Sequence, residues 1–240
     1  MANDIIDFLF RFHVKEGQQA TYEQILARQL VITTKKDPGV LLYEITRDSD
    51  GSYCQHERYE NEAALLLHVK NTDEELKTWI QVTERFQTIC LGALSEEFRK
   101  GYDGIELFEP YLQLNRPVTT GETVELFVTV RVKEGQEASF EQFAQRLLAF
   151  STAQEPGLSL YRIFRQDAST YVLYQRFVDS AAANAHFAME PTAQAATGGT
   201  WLDWVELSQF LMLGAADEQL LGLVQEMNAL AYAPYRKVVR

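Results

Sequence analysis

Two pairs of side chains stand out as able to do chemistry, Glu57 with His68 and, further on, Gln175 with His186. The stretch Tyr53 to Tyr59 has the alternation of a strand, with Tyr53, Gln55, Glu57 and Tyr59 on one face and Cys54, His56 and Arg58 on the other. If the first face meets the helices, Glu57 lies under the helix that ends with His68. A carboxylate beside an imidazole makes a serviceable general base, because it holds the ring and raises its basicity toward neutral pH. Tyr22, Tyr43 and Trp79 are placed to line an apolar cavity around that pair. The competing reading is a buried hydrogen-bonded contact that ties the helix to the sheet. In the second pair Gln175 replaces the acid while His186 stays, and a neutral amide does not raise a neighbour's basicity in the same way. The first pair is therefore expected to be the working one. Tyr161, Gln175, His186 and Trp201 are then expected to line a second pocket specialised for binding. Trp201, Trp204 and Gly198-Gly199 there form either a lid or a longer surface loop.

These pairs correspond because the chain repeats itself. Val14-Lys15-Glu16-Gly17-Gln18 returns as Val132-Lys133-Glu134-Gly135-Gln136, a register of 132 − 14 = 118 residues. Holding that register matches Arg28 to Arg146, Pro38-Gly39 to Pro156-Gly157, Tyr43 to Tyr161, Arg58 to Arg176 and His68 to His186. At least a third of the Val14 to His68 window is identical without a gap. After His186 the register slips to 122, so Trp79 falls on Trp201, and about four extra residues enter within Ala188 to Thr200. A period this long means two whole domains, expected at 1–114 and 122–240 with a linker over 115–121, where Pro117 and Gly121 lie in a polar stretch.

With 46% hydrophobic and 23% charged residues the composition is that of a globular chain. Acidic residues exceed basic ones by 34 to 22, and no Lys/Arg cluster interrupts the negative field, which excludes nucleic acid as the expected partner. Cys54 and Cys90 have no counterparts in the second copy and read as a free pair. The absence of a basic n-region before an apolar stretch, and of any apolar run of membrane length, gives an expectation of a cytoplasmic protein with no membrane partner.

Alternation predicts a strand over Asp7 to Val14. Thr21-x-x-Gln24 has the form of a capping box for the helix that follows, whose apolar stripe is Tyr22, Ile25, Leu26, Leu30 and Thr33. Pro38-Gly39 stops that helix. Strands are expected at Val40 to Arg47 and Tyr53 to Tyr59, joined by a hairpin turn in which Gly51 takes positive φ. Helices follow at Asn61 to Val69 and Thr72 to Trp79, then a strand at Thr83 to Leu91, a short helix at Ser95 to Lys100 and a strand at Ile105 to Gln113. The second copy restarts at Val124 and runs to Tyr235, leaving a short tail. The fold class is thus α+β: two ferredoxin-like β-α-β-β-α-β repeats, each an antiparallel sheet with helices on one face. The other face carries apolar residues such as Leu9 and Phe127, and burying the two such faces together is a reason for two copies in one chain. The expectation is an intramolecular pseudo-dimer closed as a dimeric α+β barrel; further homo-oligomerisation stays open.

The Val-Lys-Glu-Gly-Gln turn, Asp37-Pro38-Gly39-x-x-x-Tyr43 and Glu57-Arg58-Tyr59-Glu60-Asn61-Glu62-Ala63-Ala64-x-x-x-His68 together resemble the antibiotic biosynthesis monooxygenase (ABM) domain. The second copy resembles it through Glu155-Pro156-Gly157-x-x-x-Tyr161 and Gln175-Arg176-Phe177-x-Asp179-x-Ala181-Ala182-x-x-x-His186. The resemblance implies a dimeric α+β barrel and a choice among cofactor-free quinol or anthrone oxygenases, haem-degrading oxygenases and an isomerase of a small phosphorylated metabolite; a fold does not select among them. The leading expectation is a cofactor-independent monooxygenase acting on a quinol-like or polyketide-like aromatic small molecule, with Glu57 and His68 catalytic and no metal or other cofactor. A haem-degrading reading fits poorly, since His68 stands at or near the position of that subfamily's Trp and the first strands offer His13 and Arg131 rather than Asn. An isomerase would need cations for a phosphate, for which Arg28 and Arg85 are the candidates. The competing class is a non-catalytic ligand-binding or structural barrel, and cavity volume separates the two. Four histidines without a close acid/His cluster suggest no metal site, and no Gly-rich phosphate loop is present.

Overall fold

The computed structural model describes residues 5–102, 104–115 and 123–239, in which the chain divides into two compact units, Met1–Leu107 with Pro234–Arg240, and Phe108–Ala233. In the first unit β1 (Ile6–Val14) is followed by α1 (Gln19–Lys36), β2 (Val40–Arg47), β3 (Tyr53–Tyr59), α2 (Glu62–Asn71), α3 (Asp73–Val82), β4 (Thr83–Leu91) and α4 (Glu96–Lys100). β1 lies between β3 and β4, and β2 pairs the far side of β3, all antiparallel. The second unit repeats this as β6 (Val124–Val132), α5 (Glu137–Gln154), β7 (Leu158–Arg165), β8 (Thr170–Phe177), α6 (Ser180–Ala188), α7 (Glu190–Thr197), a 3-10 turn at Trp201–Asp203, β9 (Val205–Gly214) and α8 (Glu218–Glu226). Its strand order is the same, β9-β6-β8-β7. The α+β class and the two ferredoxin-like repeats follow the expectation.

Two strands carry the chain across the boundary between the units. β5 (Glu106–Asn115) pairs with β7 from Glu109 onward, and β10 (Leu230–Val239) pairs with β9 in parallel through Leu230–Tyr232. The short tail expected after Tyr235 is in fact the end of this strand. From Pro234 on it belongs to the first unit, where the Tyr235 hydroxyl donates to Glu23 and Lys237 Nζ pairs with Glu44 at 3.2 Å. The linker expected over 115–121 lies, from position 116 on, outside the described residues.

Most elements have evident local causes. α1 buries Tyr22, Ile25, Leu26, Gln29 and Thr33, spaced by three and four, and ends on Lys35 and Lys36, whose charge suits the carbonyl end of the helix dipole. The expected capping box at Thr21 and Gln24 is absent: the helix opens three residues earlier, on Gln18, with no side-chain cap, because Gly17 completes the preceding turn with a φ of +74° and leads straight into helix. α2 and α6 are capped, the Asn61 side chain accepting from Ala64 N at 3.0 Å and Asp179 from Ala182 N at 2.7 Å. Gly39 and Gly157 let the strand turn touch those helix starts, since a Cβ at either would lie 2.5 Å from the Cβ of Ala64 or Ala182. Gly51 takes the expected positive φ, +88°.

The helix-facing core of the first unit is aromatic, with Phe8, Phe12, Tyr22, Tyr43, Tyr53, Tyr59 and Trp79 in one cluster. That of the second is more aliphatic, holding Leu126, Val130, Val132, Leu158 and Ile163 beside Phe140, Phe143 and Phe177. The face of each sheet turned away from the helices is buried too, Leu9 to 0% exposure and Phe127 to 2%.

Candidate active site

The second unit contains a cavity of about 540 Å³ between sheet and helices, within the range that holds a small organic ligand. β6 supplies Leu126 and Val128 to its floor, β7 and β8 supply Tyr161, Leu173 and Gln175, and α5 closes it with Phe143, Leu147 and Phe150. α6 and α7 border it with His186, Glu190 and Gln194, and Trp201 with Leu202 sits just after them.

Substitutions between the copies account for the space. At the positions of Phe8, Phe10 and Phe12 in β1, β6 has Leu126, Val128 and Val130. In the first unit those rings stack on one another, Phe8 on Phe10 at 5.5 Å, and Trp79 of α3 packs edge-on against Phe10 and Phe12 at 6.3 and 5.0 Å. In the second unit three rings are replaced by smaller aliphatic side chains. The extra residues fall where α3 ran on, so that α7 stops at Gly198 in a left-handed cap and Trp201 begins a separate turn. Trp201 borders the cavity, while Trp204 rather than Trp201 packs on Phe143, at 4.6 Å.

Four polar residues cluster in this apolar space. Glu155 accepts a hydrogen bond from His186 Nδ1 and another from Ser151 Oγ at 2.6 Å. With the proton held on Nδ1, the His186 Nε2 lone pair faces Gln175, whose amide Nε2 donates to it across 3.3 Å. Tyr161 hydrogen-bonds Gln175, and burial followed by the charge of Glu155 pushes its phenol well above the ordinary range, keeping it a neutral O–H donor. The result is a carboxylate-oriented imidazole bordering an apolar cavity, whose Nε2 a substrate hydroxyl reaches by displacing the Gln175 amide, beside two neutral donors. That arrangement can take a proton from a weakly acidic substrate and donate hydrogen bonds to the anion formed.

The first unit brings Glu57 and His68 together differently. His68 Nδ1 is held by Asp37 Oδ2 at 2.8 Å, not by Glu57, whose Oε1 lies 4.0 Å from Nε2. Asn71 adds a bond to Asp37 at 2.6 Å. Glu57 accepts from Gln55 Nε2 at 2.5 Å and from the Tyr59 hydroxyl, and Tyr43 donates to Gln29 Oε1 at 3.1 Å. Burial disfavours charge on His68, but the Asp37 hydrogen bond and the neighbouring Glu57 and Asp37 charges outweigh it and raise its pKa. Flanked by two acids, the ring tends to hold its proton. Of the other residues expected to line a pocket here, Tyr22 packs on Phe12 at 5.7 Å and Tyr53 at 5.2 Å, and its hydroxyl, like the Trp79 indole N–H, has no hydrogen-bond partner among the described residues. None of these first-unit residues borders the cavity, whereas Tyr161, Gln175, His186 and Trp201 all do.

Sequence reasoning missed Asp37 and Glu155, the acids that hold the two imidazoles. Both precede Pro-Gly, and an acid at that position in each copy was the available signal, obscured by its resemblance to an ordinary turn. Arg28 and Arg85 do not border the cavity, and Arg85 is replaced by Leu207 in the second copy. Among the described residues no three histidine, cysteine or carboxylate side chains converge as a metal ion would need. Nor, among them, is any helix long and apolar enough to cross a membrane.

The profile of the family described as Antibiotic biosynthesis monooxygenase matches residues 8–81 and 123–197. A "putative monooxygenase" from Fusobacterium nucleatum is similar in structure, with 14% identity, a TM-score of 0.60 and coverage of 88% of this chain and 95% of that one. Another so named, from Lactobacillus acidophilus, has 14% identity and a TM-score of 0.56 over 87% of this chain and 91% of its own. An anthrone oxidase-like protein is similar at 11% identity and a TM-score of 0.50, covering 99% of this chain and 94% of that one. At such identities the likeness is one of fold. No match is found among curated proteins.

Proposed function

Since this chain belongs to the antibiotic biosynthesis monooxygenase family, we propose that it is a cofactor-independent monooxygenase of quinol-like or polyketide-like aromatic small molecules, with its reaction site in the second unit. The observation that carries this reading is the Glu155–His186 pair opening onto a cavity of about 540 Å³ with a mostly apolar wall. Glu57 and His68, the pair favoured by residue type, are read instead as a tie between sheet and helix.

The chemistry asks little of the protein. His186 Nε2 removes a proton from the phenol, or from the ring carbon whose enolate the fused rings stabilise, and Glu155 stabilises the imidazolium that results. Gln175 and Tyr161 donate to the substrate oxyanion. The anion passes one electron to O₂, and the two radicals combine to form a carbon–oxygen bond. The imidazolium returns its proton to the peroxide, and loss of water leaves a new carbonyl. The balance is substrate-H₂ + O₂ → substrate=O + H₂O, with the substrate as the only reductant. Phe143, Leu147 and Phe150 keep water from the anion.

Oxygen consumption with a panel of anthrones, naphthols and quinols tests this without added metal or flavin. At least one substrate is expected to consume one O₂ per molecule and yield its ketone. Uptake no faster than the buffer blank across the panel would remove the oxygenase reading, and ligand binding without uptake would support a binding protein instead.

A further inference from the structure

We propose that the second-unit cavity admits only ring systems without an ionised acid group, so that a reaction removing or masking any carboxyl group precedes this step. The inference rests on reading that cavity as the substrate site, and it concerns which molecules enter rather than what is done to them.

The charges around the cavity all have one sign. Glu155, only 6% exposed, sits at its closed end, and Glu190, exposed, stands at its rim. Its lining, among the described residues, contains no lysine or arginine. His186 is the one side chain there able to become cationic, and its Nδ1 is committed to Glu155, so a protonated ring is already balanced. A carboxylate entering this space would lose its hydration, meet no counter-ion and face two like charges. The chain as a whole adds to the effect, with a net charge of −12. What the lining does offer is neutral: the amides of Gln175, Gln194 and Asn228 suit the hydroxyl and carbonyl groups of an uncharged polyphenol.

Rim and closed end differ in what they allow a variant to do. Glu155 holds the imidazole and its removal would disturb the site, whereas Glu190, among the described residues, accepts only from Gln194 of its own helix, at 3.3 Å. Replacing Glu190 therefore changes the charge at the rim with the buried cluster left in place.

Isothermal titration of the full chain near neutral pH with three air-stable probes provides the test: 1,8-dihydroxyanthraquinone, its 3-carboxylic acid and the methyl ester of that acid. The parent and the ester are expected to bind alike, and the acid about tenfold or more weaker. Including the ester separates charge from size. Glu190→Lys is expected to narrow the gap between acid and ester several-fold, and Glu190→Gln by less, with circular dichroism verifying the fold of each. An acid that binds the wild-type protein as tightly as its ester, or a protein that binds none of the three, would overturn the proposal. Selective binding of the neutral probes with no oxygen uptake by any substrate would instead leave it standing and remove the oxygenase reading.

Discussion

His68 and His186 occupy equivalent positions, yet their second ring nitrogens meet different neighbours. Two acids flank His68 and hold its proton in place; one acid orients His186, and its second nitrogen meets the neutral Gln175 amide. Replacing His186 by Ala should cut turnover on the order of 10²- to 10⁴-fold, the usual worth of a general base, in steady-state oxygen uptake. Glu155→Gln should lower kcat more than it changes KM, because the ring loses its orientation and its imidazolium its partner. An unchanged kcat would show that Glu155 is a structural contact. For His68 the expectation concerns stability. Its folded pKa is raised above the ordinary value of 6.5, so its contribution is fully present below that pH and is lost as pH rises through the folded value. The stability gap between wild type and His68→Gln, from urea melts, should therefore be largest at acidic pH and shrink on the alkaline side; a gap that widens with pH would contradict the assignment.

At the scale of elements, the first strand of each copy decides whether a cavity exists. Three phenylalanines in β1 fill the space under the helices, while Leu126, Val128 and Val130 in β6 leave it open. Val128→Phe should refill part of it, reducing probe affinity and oxygen uptake at least tenfold while shifting stability by less than about 1.5 kcal/mol, since the ring enters existing space. Undiminished binding would place the ligand elsewhere. The close approach of Gly157 to Ala182 makes the opposite prediction: Gly157→Ala should cost roughly 1–3 kcal/mol in urea denaturation, because backbone and helix start must part to admit the methyl. Strands and helices were legible because their signals are local. Alternation located β1 and β3, and Asn61 and Ser95 marked helix starts that the structure confirms as caps. The capping box at Thr21 failed because a sequence pattern cannot tell a first turn from a second. Likewise the end of β10, beyond Tyr235, looked like a tail, since the strand pairs with β9 in parallel and carries no hairpin signal.

At the scale of the whole chain, two copies of one fold have diverged in the content of their interiors. Residue types favoured the first copy, since a carboxylate at 57 stands near His68 where an amide stands at 175. What residue types cannot display is empty volume, which depends on many side chains at once: Leu126 for Phe8, Val128 for Phe10, Val130 for Phe12, and a helix interrupted at Gly198. The same acid that suggested a catalytic pair at Glu57 is, in the folded chain, engaged by Gln55 and Tyr59. Duplication makes this division testable within a single molecule, as each copy serves as the control for the other. The most direct measurement is the oxygen-electrode trace of wild type, His186→Ala and His68→Ala with 1,8-dihydroxyanthrone, each variant first shown to be folded by far-ultraviolet circular dichroism. Uptake should be lost in His186→Ala and kept in His68→Ala; the reverse pattern in two folded variants would contradict the account.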